Sequence, residues 1–328
     1  MTLYKILEKK LYNYASYIQK DLNKVSFLLS FSSGVDSVVM LKILIKLKKK
    51  HLFDLGLIHI NHNTHNESKN MENYSINVSI ENNIPIYLKH LYFSSKKNFE
   101  SIARKKRYKY LEEISQKYFY DIVLTAHHKD DQLETIFMKQ LEGGDWTSKI
   151  GIREINKNIY RPFLDIYKQD ILLYAKNNNL LWINDPTNKD HSFKRNKIRN
   201  ISLPNALKND PSLLQKLVNI RKCSIDKMTS AVLKVDSIAT SIFISTKGSQ
   251  FRMDRNMLKI LTQEEIKIFF YRHIIKKTYM NFIEKSYGFW SELHRFINKS
   301  QSGAKFKLKK IIFLSNRNYI DVIPELEE

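Results

Sequence analysis

The chain is poor in cysteine, glycine and proline. Its 328 residues include a single cysteine, Cys223, with 8 glycines and 6 prolines. One cysteine excludes an intrachain disulfide framework and any metal site built from several cysteines of one chain. No uninterrupted apolar run reaches the roughly 18 residues that a membrane span needs. Residues 1–20 predict an amphipathic helix and lack the compact apolar core of a signal peptide. These absences predict a globular cytoplasmic protein without a membrane partner.

Acidic residues are scarce relative to basic ones. The chain has 55 Lys and Arg against 33 Asp and Glu, which gives a formal net charge of +22 and a pI near 9.7. Such an excess favours a polyanionic partner such as a nucleic acid. It also follows from an AT-rich coding bias, which raises Lys throughout a chain. Charge alone therefore leaves both interpretations open.

The first half of the chain alternates between strand-like and helix-like segments. Strands are predicted over residues 25–31, 55–60, 84–88 and 121–126, and helices over 36–50, 68–82, 99–118 and 130–141. This alternation predicts an α/β fold with a parallel, doubly wound sheet covered by helices on both faces. Ligands bind such sheets outside the carboxyl ends of the strands. The loops after Phe31, Ile60 and Ala126 are therefore expected to share one crevice.

The pattern changes after Leu203 and Pro204. We predict a catalytic domain over residues 1–205 and a second, smaller, mostly helical domain over residues 206–328. The second domain is expected to contain helices over 213–243 and 263–275. Residues 305–314 and 319–322 predict a terminal hairpin.

A serine-rich loop joins the first predicted strand to the first helix. It consists of Ser32, Ser33, Gly34, Val35, Asp36 and Ser37. Small residues let backbone N–H groups approach an anion, and the helix N-terminus adds positive potential. The serine hydroxyls are candidate phosphate donors, and Asp36 is a candidate Mg²⁺ ligand. The G-x-x-x-x-G-K-[ST] and G-x-G-x-x-G motifs are absent. An ordinary serine-rich helix cap is the alternative.

The densest polar cluster, residues 125–135, follows the fourth predicted strand. Asp131 and Glu134 are three residues apart at a helix start and so share a face, where they suit Mg²⁺ or an ammonium group. His127 and His128 are candidates for acid–base chemistry or hydrogen bonding to a nucleotide. Acidic residues also simply favour helix starts. Two such loops at strand ends of one sheet favour a functional site.

Arg104 and Arg107 share one face of the helix predicted over residues 99–118. Arginine offers a planar set of donors suited to phosphate. Solvated helix charge is the alternative interpretation.

Together these segments resemble the PP-loop (N-type ATP pyrophosphatase) family and, within it, the tRNA(Ile)-lysidine synthase family. The serine loop resembles S-G-G-x-D-S, and residues 126–135 match A-H-H-x-D-D-Q-x-E-T. Segment 103–108 matches A-R-x-x-R-Y, and segment 161–164, which reads Arg-Pro-Phe-Leu, resembles R-P-L-L. Segments 182–188 and 195–199 resemble W-x-x-D-P-[ST]-N and R-N-x-[IL]-R. The resemblance covers residues 25–204, and the chain looks like a short form of the family.

The resemblance implies a two-step ligation that uses ATP and Mg²⁺. ATP adenylylates the carbonyl at carbon 2 of the wobble cytidine in tRNA(Ile) with a CAU anticodon, and pyrophosphate leaves. The side-chain amine of free L-lysine then displaces AMP. The product is lysidine, which switches codon reading from AUG to AUA. A homodimer is one expectation for the assembly.

The resemblance also implies roles for individual residues. The serine loop would hold pyrophosphate and Asp36 its Mg²⁺, while Asp131 and Glu134 would receive lysine. Arg104 or Arg107 would stabilise developing negative charge, and His127 is a further catalytic candidate. We expect phosphates of the tRNA to contact two basic groups, namely Lys194, Arg195, Lys197 and Arg199, and the alternating Lys305, Lys307 and Lys309.

Three residues depart from the family pattern. Ser33 replaces a glycine and is tolerable if its φ is negative; Asn63 also replaces a glycine, and Glu142 replaces an arginine. Rival interpretations are a tRNA thiolase, which needs several cysteines, and a PP-loop synthetase acting on a small molecule, which needs no basic second domain. Ser33 and Glu142 also motivate a third, a non-catalytic tRNA-binding protein.

Overall fold

The computed structural model describes residues 2–63, 67–92, 99–247, 250–274, 287–308 and 311–324. The chain separates into two compact units, Met1–Arg221 and Lys222–Glu328. The division falls inside a long helix, Leu213–Ile242, and thus later than the boundary predicted after residue 205.

The first unit contains a six-stranded sheet. Its strands are β1 (Ser26–Ser30), β2 (Asp54–Asn61), β3 (Ile86–His90), β4 (Ile122–Leu124), β5 (Ile155–Asn156) and β6 (Ile159–Tyr160). Their order is β3-β2-β1-β4-β6-β5, and every pairing is parallel except the antiparallel pairing of β5 with β6. The predicted parallel α/β fold is confirmed. The order in which strands are added to the sheet changes direction between β1 and β4. Ligands bind at this switch point in such folds.

The helices of the first unit follow the predicted alternation. They are α1 (Leu3–Tyr17), α2 (Val35–His51), α3 (Glu67–Glu81), α4 (Phe99–Lys117), α5 (Lys129–Leu141), α6 (Lys168–Asn177), α7 (Lys194–Lys197), α8 (Leu203–Asn209) and the start of α9 (Leu213–Ile242). Short 3₁₀ helices span Leu22–Lys24 and Pro186–Lys189, and a π-helical turn spans Ile198–Ser202.

The central strand β1 shows why the sheet is covered on both faces. Phe27, Leu28 and Leu29 are all fully buried, which a parallel strand between two helical layers requires. Phe27 and Leu29 pack in the larger core, whereas Leu28 packs in a separate cluster with Leu111 of α4. A strand apolar on both faces therefore holds the serine loop at its carboxyl end.

The second unit combines helices with a five-stranded antiparallel sheet. Its strands are β7 (Phe243–Lys247), β8 (Gln250–Asp254), β9 (Lys305–Leu308), β10 (Ile311–Ser315) and β11 (Tyr319–Pro324), in the order β7-β8-β11-β10-β9. Its helices, besides the rest of α9, are α10 (Arg255–Lys259), α11 (Gln263–Phe269), a π-helical turn Phe270–Ile274 and α12 (Tyr287–Lys299).

The sheet of the second unit is larger than the sequence predicts. The segment 305–314, expected as one strand of a hairpin, forms the two strands β9 and β10. Strands β7 and β8 were not predicted at all. The helix predicted over 213–243 ends at Ile242, and Ile275 lies outside the described residues. The second, smaller unit therefore contains helices and the strands of the predicted hairpin together with two strands that were not predicted.

Aromatic side chains form the centre of the second unit. The ring of Phe270 lies 5.9 Å from the rings of both Trp290 and Phe313, and Phe313 lies 5.9 Å from Phe306. Trp290 and Phe313 are almost fully buried. Over the part of the chain that the structure describes, no helix is both long and apolar enough to cross a membrane.

Candidate active site

The serine loop is closed by its own last residue. Ser37 donates its hydroxyl to the carbonyl oxygen of Gly34 at 2.9 Å, and the N–H of Ser32 donates to Ser37 Oγ at 3.2 Å. Helix α2 begins at Val35, and no described side chain caps this end. The first N–H groups of a helix have no partner within it. An anion is therefore well matched to this position.

Gly34 leaves open space at the loop. Its φ of −75° is available to any residue. A Cβ atom added there would meet only one atom within 4 Å, Ser32 Oγ at 3.5 Å. Open space beside uncapped N–H groups fits a bound phosphate.

Ser33 differs from what its place in the loop suggests. Its φ is +62°, in the region that favours glycine, so the condition of a negative φ is not met. The side chain is fully buried; its hydroxyl donates to Met71 O at 2.8 Å and lies 2.8 Å from Ser75 Oγ. Ser75 Oγ lies in turn 3.0 Å from Nδ1 of the buried His59. Ser33 therefore connects the loop to α3, and its hydroxyl is engaged away from the candidate phosphate site.

The imidazole of His128 joins the two predicted loops. Its Nε2 lies 3.9 Å from Asp36 Oδ2 and 3.5 Å from Asp131 Oδ2. Its Nδ1 lies 3.5 Å from Asp130 Oδ2. Burial lowers the pKa of His128, but Asp130, Asp131 and Asp36 outweigh burial and leave this pKa raised. The structure thus brings the loop carboxylate and the second-loop carboxylates to one imidazole.

Lys168 is a site residue that the sequence did not single out. Its Nζ donates to Asp36 Oδ1 at 2.6 Å and to Oδ2 at 2.7 Å. Its backbone N–H, at the first residue of α6, donates to Asp130 Oδ2 at 2.8 Å. One lysine among 55 basic residues carries no local signal. Its position shortly after Arg161 to Leu164, the R-P-L-L-like segment, is the only sequence feature near it.

Two arginines occupy the carboxylate pair that was expected to receive lysine. Arg199 donates to Asp131 Oδ1 at 2.8 Å and to the two oxygens of Glu134 at 2.6 and 3.0 Å. Arg195 donates to Asp131 Oδ1 at 3.0 Å and to Glu134 Oε2 at 3.3 Å. Both carboxylates are buried. Burial raises the pKa of Asp131, but His128 and Arg195 outweigh burial and hold this pKa at about 2.

The four residues of the basic group predicted around α7 therefore have different surroundings. Arg195 and Arg199 bind the carboxylates of the site, Lys197 is exposed, and Lys194 pairs with Glu142. Glu142 also accepts a hydrogen bond from Lys139 at 2.7 Å. The charge that Glu142 reverses relative to the family is thus neutralised by two lysines, which also lower its pKa.

His127 lies beside charges of both signs, Asp131 on one hand and Arg107, Arg161 and Arg195 on the other. Its Nδ1 is 2.9 Å from Thr125 Oγ1. Burial is the main cause that lowers its pKa, with contributions from Arg107, Arg161 and Arg195, and the value falls to about 3. A histidine with this pKa is neutral at physiological pH. Its predicted acid–base role is therefore restricted to the neutral form.

Arg107 and Arg104 flank one tyrosine ring but have different surroundings. Their guanidinium carbons lie 5.5 and 4.9 Å from the centre of the Tyr108 ring, and the Tyr108 hydroxyl accepts from the buried Arg161 at 3.2 Å. Arg107 lines a cavity at the end of the sheet, whereas Arg104 is exposed. Of the two arginines, Arg107 is the one that the structure brings to the site.

That cavity has a volume of about 310 Å³ and opens at the carboxyl ends of β1 and β2. It is lined by Phe31 and Ser32 after β1, by Asn61 at the end of β2 and His62 after it, and by Asp185, Thr187, Asn188 and Asn196 from the later family-like segments. Nearby, Asn63 has a φ of +50°, and its N–H donates to Asn61 Oδ1 at 2.8 Å. Asparagine tolerates this conformation better than most residues, so the second departure is structurally accommodated.

A second cavity, of about 650 Å³, is lined in part by His128. Its polar lining also includes Glu134, Lys168 and Arg199, and its apolar lining includes Leu203 and Leu207. Among the described residues, the two cavities have no lining residue in common: Ser32 of the serine loop lines the smaller one, and His128 lines the larger one.

The residues present fit Mg²⁺ in one specific way. Within the described ranges, no group of three or more His, Cys, Asp or Glu side chains is arranged to hold a metal ion. Mg²⁺ is often held by one or two carboxylates together with substrate phosphates. The single carboxylate of Asp36 beside the loop meets that requirement.

The predicted cationic strand is described in part. Lys305 and Lys307 are exposed on β9, while Phe306 between them lies against Phe289 and Phe296. Lys309 lies outside the described residues. The two lysines share one face because side chains alternate along a strand.

The fold is that of an α/β protein of the class that binds nucleotides, in which ligands bind at the switch point of a parallel sheet. Comparison with known families agrees, because a family described as the PP-loop domain matches residues 5–206. The U34-tRNA thiolase NcsA from Methanococcus maripaludis matches with a TM-score of 0.52 and 18% identity, over 68% of this chain and 80% of that chain. At that identity the likeness concerns the fold alone.

Sequence relatives narrow the class. A tRNA(Ile)-lysidine synthase of Buchnera aphidicola subsp. Baizongia pistaciae is 32% identical over 264 residues, covering 76% of this chain and 59% of that protein. One of Mycoplasmopsis pulmonis is 31% identical over 293 residues, covering 88% and 95%. This chain belongs to the tRNA(Ile)-lysidine synthase family of PP-loop proteins. It spans 59% of the Buchnera relative and 48% of the Streptococcus equi subsp. equi relative.

Proposed function

We propose that this protein ligates free L-lysine to carbon 2 of the wobble cytidine of tRNA(Ile) with a CAU anticodon, at the expense of ATP. The observation that carries the proposal is the position of Asp36 and Asp131 against one imidazole, that of His128. A loop suited to phosphate and a carboxylate pair suited to an amine therefore belong to one site. The names of the family relatives supply the substrate class.

In the first step, the carbonyl oxygen at carbon 2 attacks the α-phosphorus of ATP, and the bond to pyrophosphate breaks. The smaller cavity accommodates the nucleotide, with the N-terminus of α2 at its phosphates. Asp36 would hold Mg²⁺, which when bound neutralises charge on the departing pyrophosphate. Arg107, at the cavity wall, is placed to stabilise negative charge that develops on the α-phosphate.

In the second step, the unprotonated side-chain amine of lysine attacks carbon 2, and the bond to the AMP oxygen breaks. Asp131 and Glu134 attract the ammonium form of lysine into the site before its proton is lost. The larger cavity adds Leu203 and Leu207, which suit the methylene stem of lysine. Because Arg195 and Arg199 already bind both carboxylates, lysine must share or displace guanidinium contacts.

The proposed macromolecular partner is the tRNA. Exposed Lys197, Lys305 and Lys307 are candidates for phosphate contact, which the net charge of +22 also favours. Lys194, Arg195 and Arg199 could contribute only by leaving carboxylate partners. Homodimer formation stays a prediction that sedimentation of the purified protein would test.

The experiment is incorporation of labelled lysine into tRNA(Ile) transcripts that differ only at the wobble base. With ATP present, we expect label in the wobble-cytidine transcript, with AMP and pyrophosphate as the other products. Equal labelling of a wobble-uridine transcript would contradict the proposed specificity. Binding of tRNA without formation of AMP would instead favour the non-catalytic interpretation.

ATP–pyrophosphate exchange separates the proposal from a PP-loop synthetase that acts on a small molecule. The proposal requires exchange to depend on tRNA, because the base itself is adenylylated. Exchange at full rate without tRNA would favour the small-molecule reaction. Cys223, exposed in the second unit, leaves the thiolase interpretation without the several cysteines it needs.

A further inference from the structure

Asp36 already holds a cation of the protein itself. Lys168 Nζ lies 2.6 and 2.7 Å from its two carboxylate oxygens. An ammonium group in this geometry neutralises the carboxylate at the position where Mg²⁺ is expected. The side chains are only partly exposed, 30% for Lys168 and 26% for Asp36, so the pair is screened less than a surface ion pair.

The two ends of Lys168 are held differently. The backbone is fixed at the start of α6, where its N–H donates to Asp130 Oδ2 at 2.8 Å. The ammonium lies at the end of a flexible four-carbon stem and has three rotatable donors. Its position can therefore change while the backbone of α6 stays in place.

The groups around the ammonium offer it a second partner when a nucleotide binds. Asp36 is in the first turn of α2, next to the uncapped N–H groups that suit phosphate. A divalent cation on Asp36 would repel the ammonium, and the same nucleotide would bring several anionic oxygens to this place. The ammonium of Lys168 is therefore expected to exchange its contact with the Asp36 carboxylate for a contact with phosphate.

We propose that Lys168 is a catalytic residue with two positions. In the free protein it is the counter-cation of Asp36; when a divalent cation takes Asp36, its ammonium contacts the pyrophosphate portion of the nucleotide. The proposal rests on the ATP-dependent function proposed above. Lys168 would thus stabilise pyrophosphate, the leaving group of the first step.

The proposal predicts two shifts of opposite sign for Lys168→Met, both measurable without tRNA or lysine. Mn²⁺ alone, followed by the EPR signal of the free ion, should bind at least threefold more tightly because its competitor on Asp36 is gone. Pyrophosphate in the presence of Mg²⁺, followed by calorimetry, should bind at least tenfold more weakly. Lys168→Arg should keep most of the pyrophosphate affinity.

A neighbouring lysine gives the matched control. Lys129 Nζ lies 3.9 Å from the centre of the Tyr167 ring rather than on a carboxylate. Lys129→Met removes the same charge and should leave both affinities within twofold of the wild-type values. In an Asp36→Asn background, Lys168→Met should no longer strengthen Mn²⁺ binding.

Either missing shift overturns the proposal. If Lys168→Met weakens the binding of both Mn²⁺ and pyrophosphate and lowers the melting temperature, Lys168 is only a structural partner of Asp36. If pyrophosphate affinity is unchanged, the contact to the leaving group is wrong. Failure to form lysidine with both shifts present would contradict the proposed function while leaving the role of Lys168 intact.

Discussion

The serine loop and the carboxylate pair are two halves of one site in opposite states. The loop presents uncapped N–H groups and open space at Gly34. The carboxylates Asp131 and Glu134 are buried and accept five hydrogen bonds from Arg195 and Arg199. The serine loop is suited to bind an anion directly. The two carboxylates must exchange hydrogen-bond partners before they bind a cation.

This difference separates what each half contributes. A phosphate can bind the loop without displacing a described side chain, so nucleotide affinity should depend on local backbone geometry. A buried carboxylate that loses its partner is costly, so Arg195 and Arg199 stabilise the fold around the amine site as well as filling it. Substitutions in the two halves should therefore affect different ligands.

The largest expected effect is in the carboxylate pair. Glu134→Gln keeps the size of the side chain but loses a charge-assisted contact to the amine, so we expect lysine incorporation to fall about 100-fold, from a loss of roughly 3 kcal/mol. ATP affinity should stay within about twofold. Glu142→Gln, on an exposed glutamate just beyond the end of the same helix, is the control for both measurements. An equal loss of ATP affinity would show that the two halves are not distinct.

Gly34→Ala tests the other half. An added Cβ meets only Ser32 Oγ at 3.5 Å, so thermal unfolding should be unchanged. The methyl group would occupy the space assigned to phosphate and disturb a charge-assisted hydrogen bond worth about 1.5–3 kcal/mol. We therefore expect ATP affinity to fall on the order of tenfold or more. Calorimetry of ATP binding measures this. Unchanged ATP affinity with normal folding would place the phosphates elsewhere.

A smaller effect is expected where the loop meets α3. Ser75→Ala removes one of the two partners of the buried Ser33 hydroxyl and should lower the free energy of unfolding by about 1 kcal/mol. In a Ser33→Gly background the same change should cost less, with a coupling energy of roughly 0.5–1 kcal/mol. Urea unfolding of the four proteins completes the cycle. Additive effects would mean that the two hydroxyls are independent.

The smallest effect concerns Glu142. Lys139 and Lys194 lower its pKa from the ordinary 4.5, so its contribution is present at neutral pH and is lost as pH falls through the lower folded-state value. Glu142→Gln should remove about 0.2–1 kcal/mol at pH 7. The difference from wild type should shrink as the pH falls below 4.5. A difference that does not change as the carboxyl is protonated would arise from packing rather than from charge.

Local patterns predicted most of the first unit. Apolar strands such as β1 and the small-residue loop after it are short-range signals, and α2 begins at Val35, one residue from the expected start. The second unit shows the limit. Helix α9 passes into β7 between Ile242 and Phe243 without a glycine or proline, so no local breaker marked the change.

The site was predictable where its residues are close in sequence. Asp36 lies at the start of α2, and Asp131 and Glu134 lie near the start of α5, so each group is compact in sequence. The structure brings Asp36 and Asp131 to the same imidazole, that of His128. The partners of these carboxylates depend on tertiary contacts, which sequence spacing does not reveal. Lys168 reaches Asp36 from 132 positions away, and Arg199 reaches Glu134 from 65 positions away. Ser33 shows the same limit, since its burial depends on Ser75 in another helix.

The central claim is that one site first adenylylates a tRNA base and then joins lysine to that base, with release of AMP. The most direct measurement incubates the protein with ATP labelled at the α-phosphate and the wobble-cytidine transcript, first without lysine. The label should become covalently bound to the tRNA. It should then be released as labelled AMP when lysine is added. Labelled AMP formed without any labelled tRNA, or labelled tRNA that lysine does not discharge, would contradict the central claim.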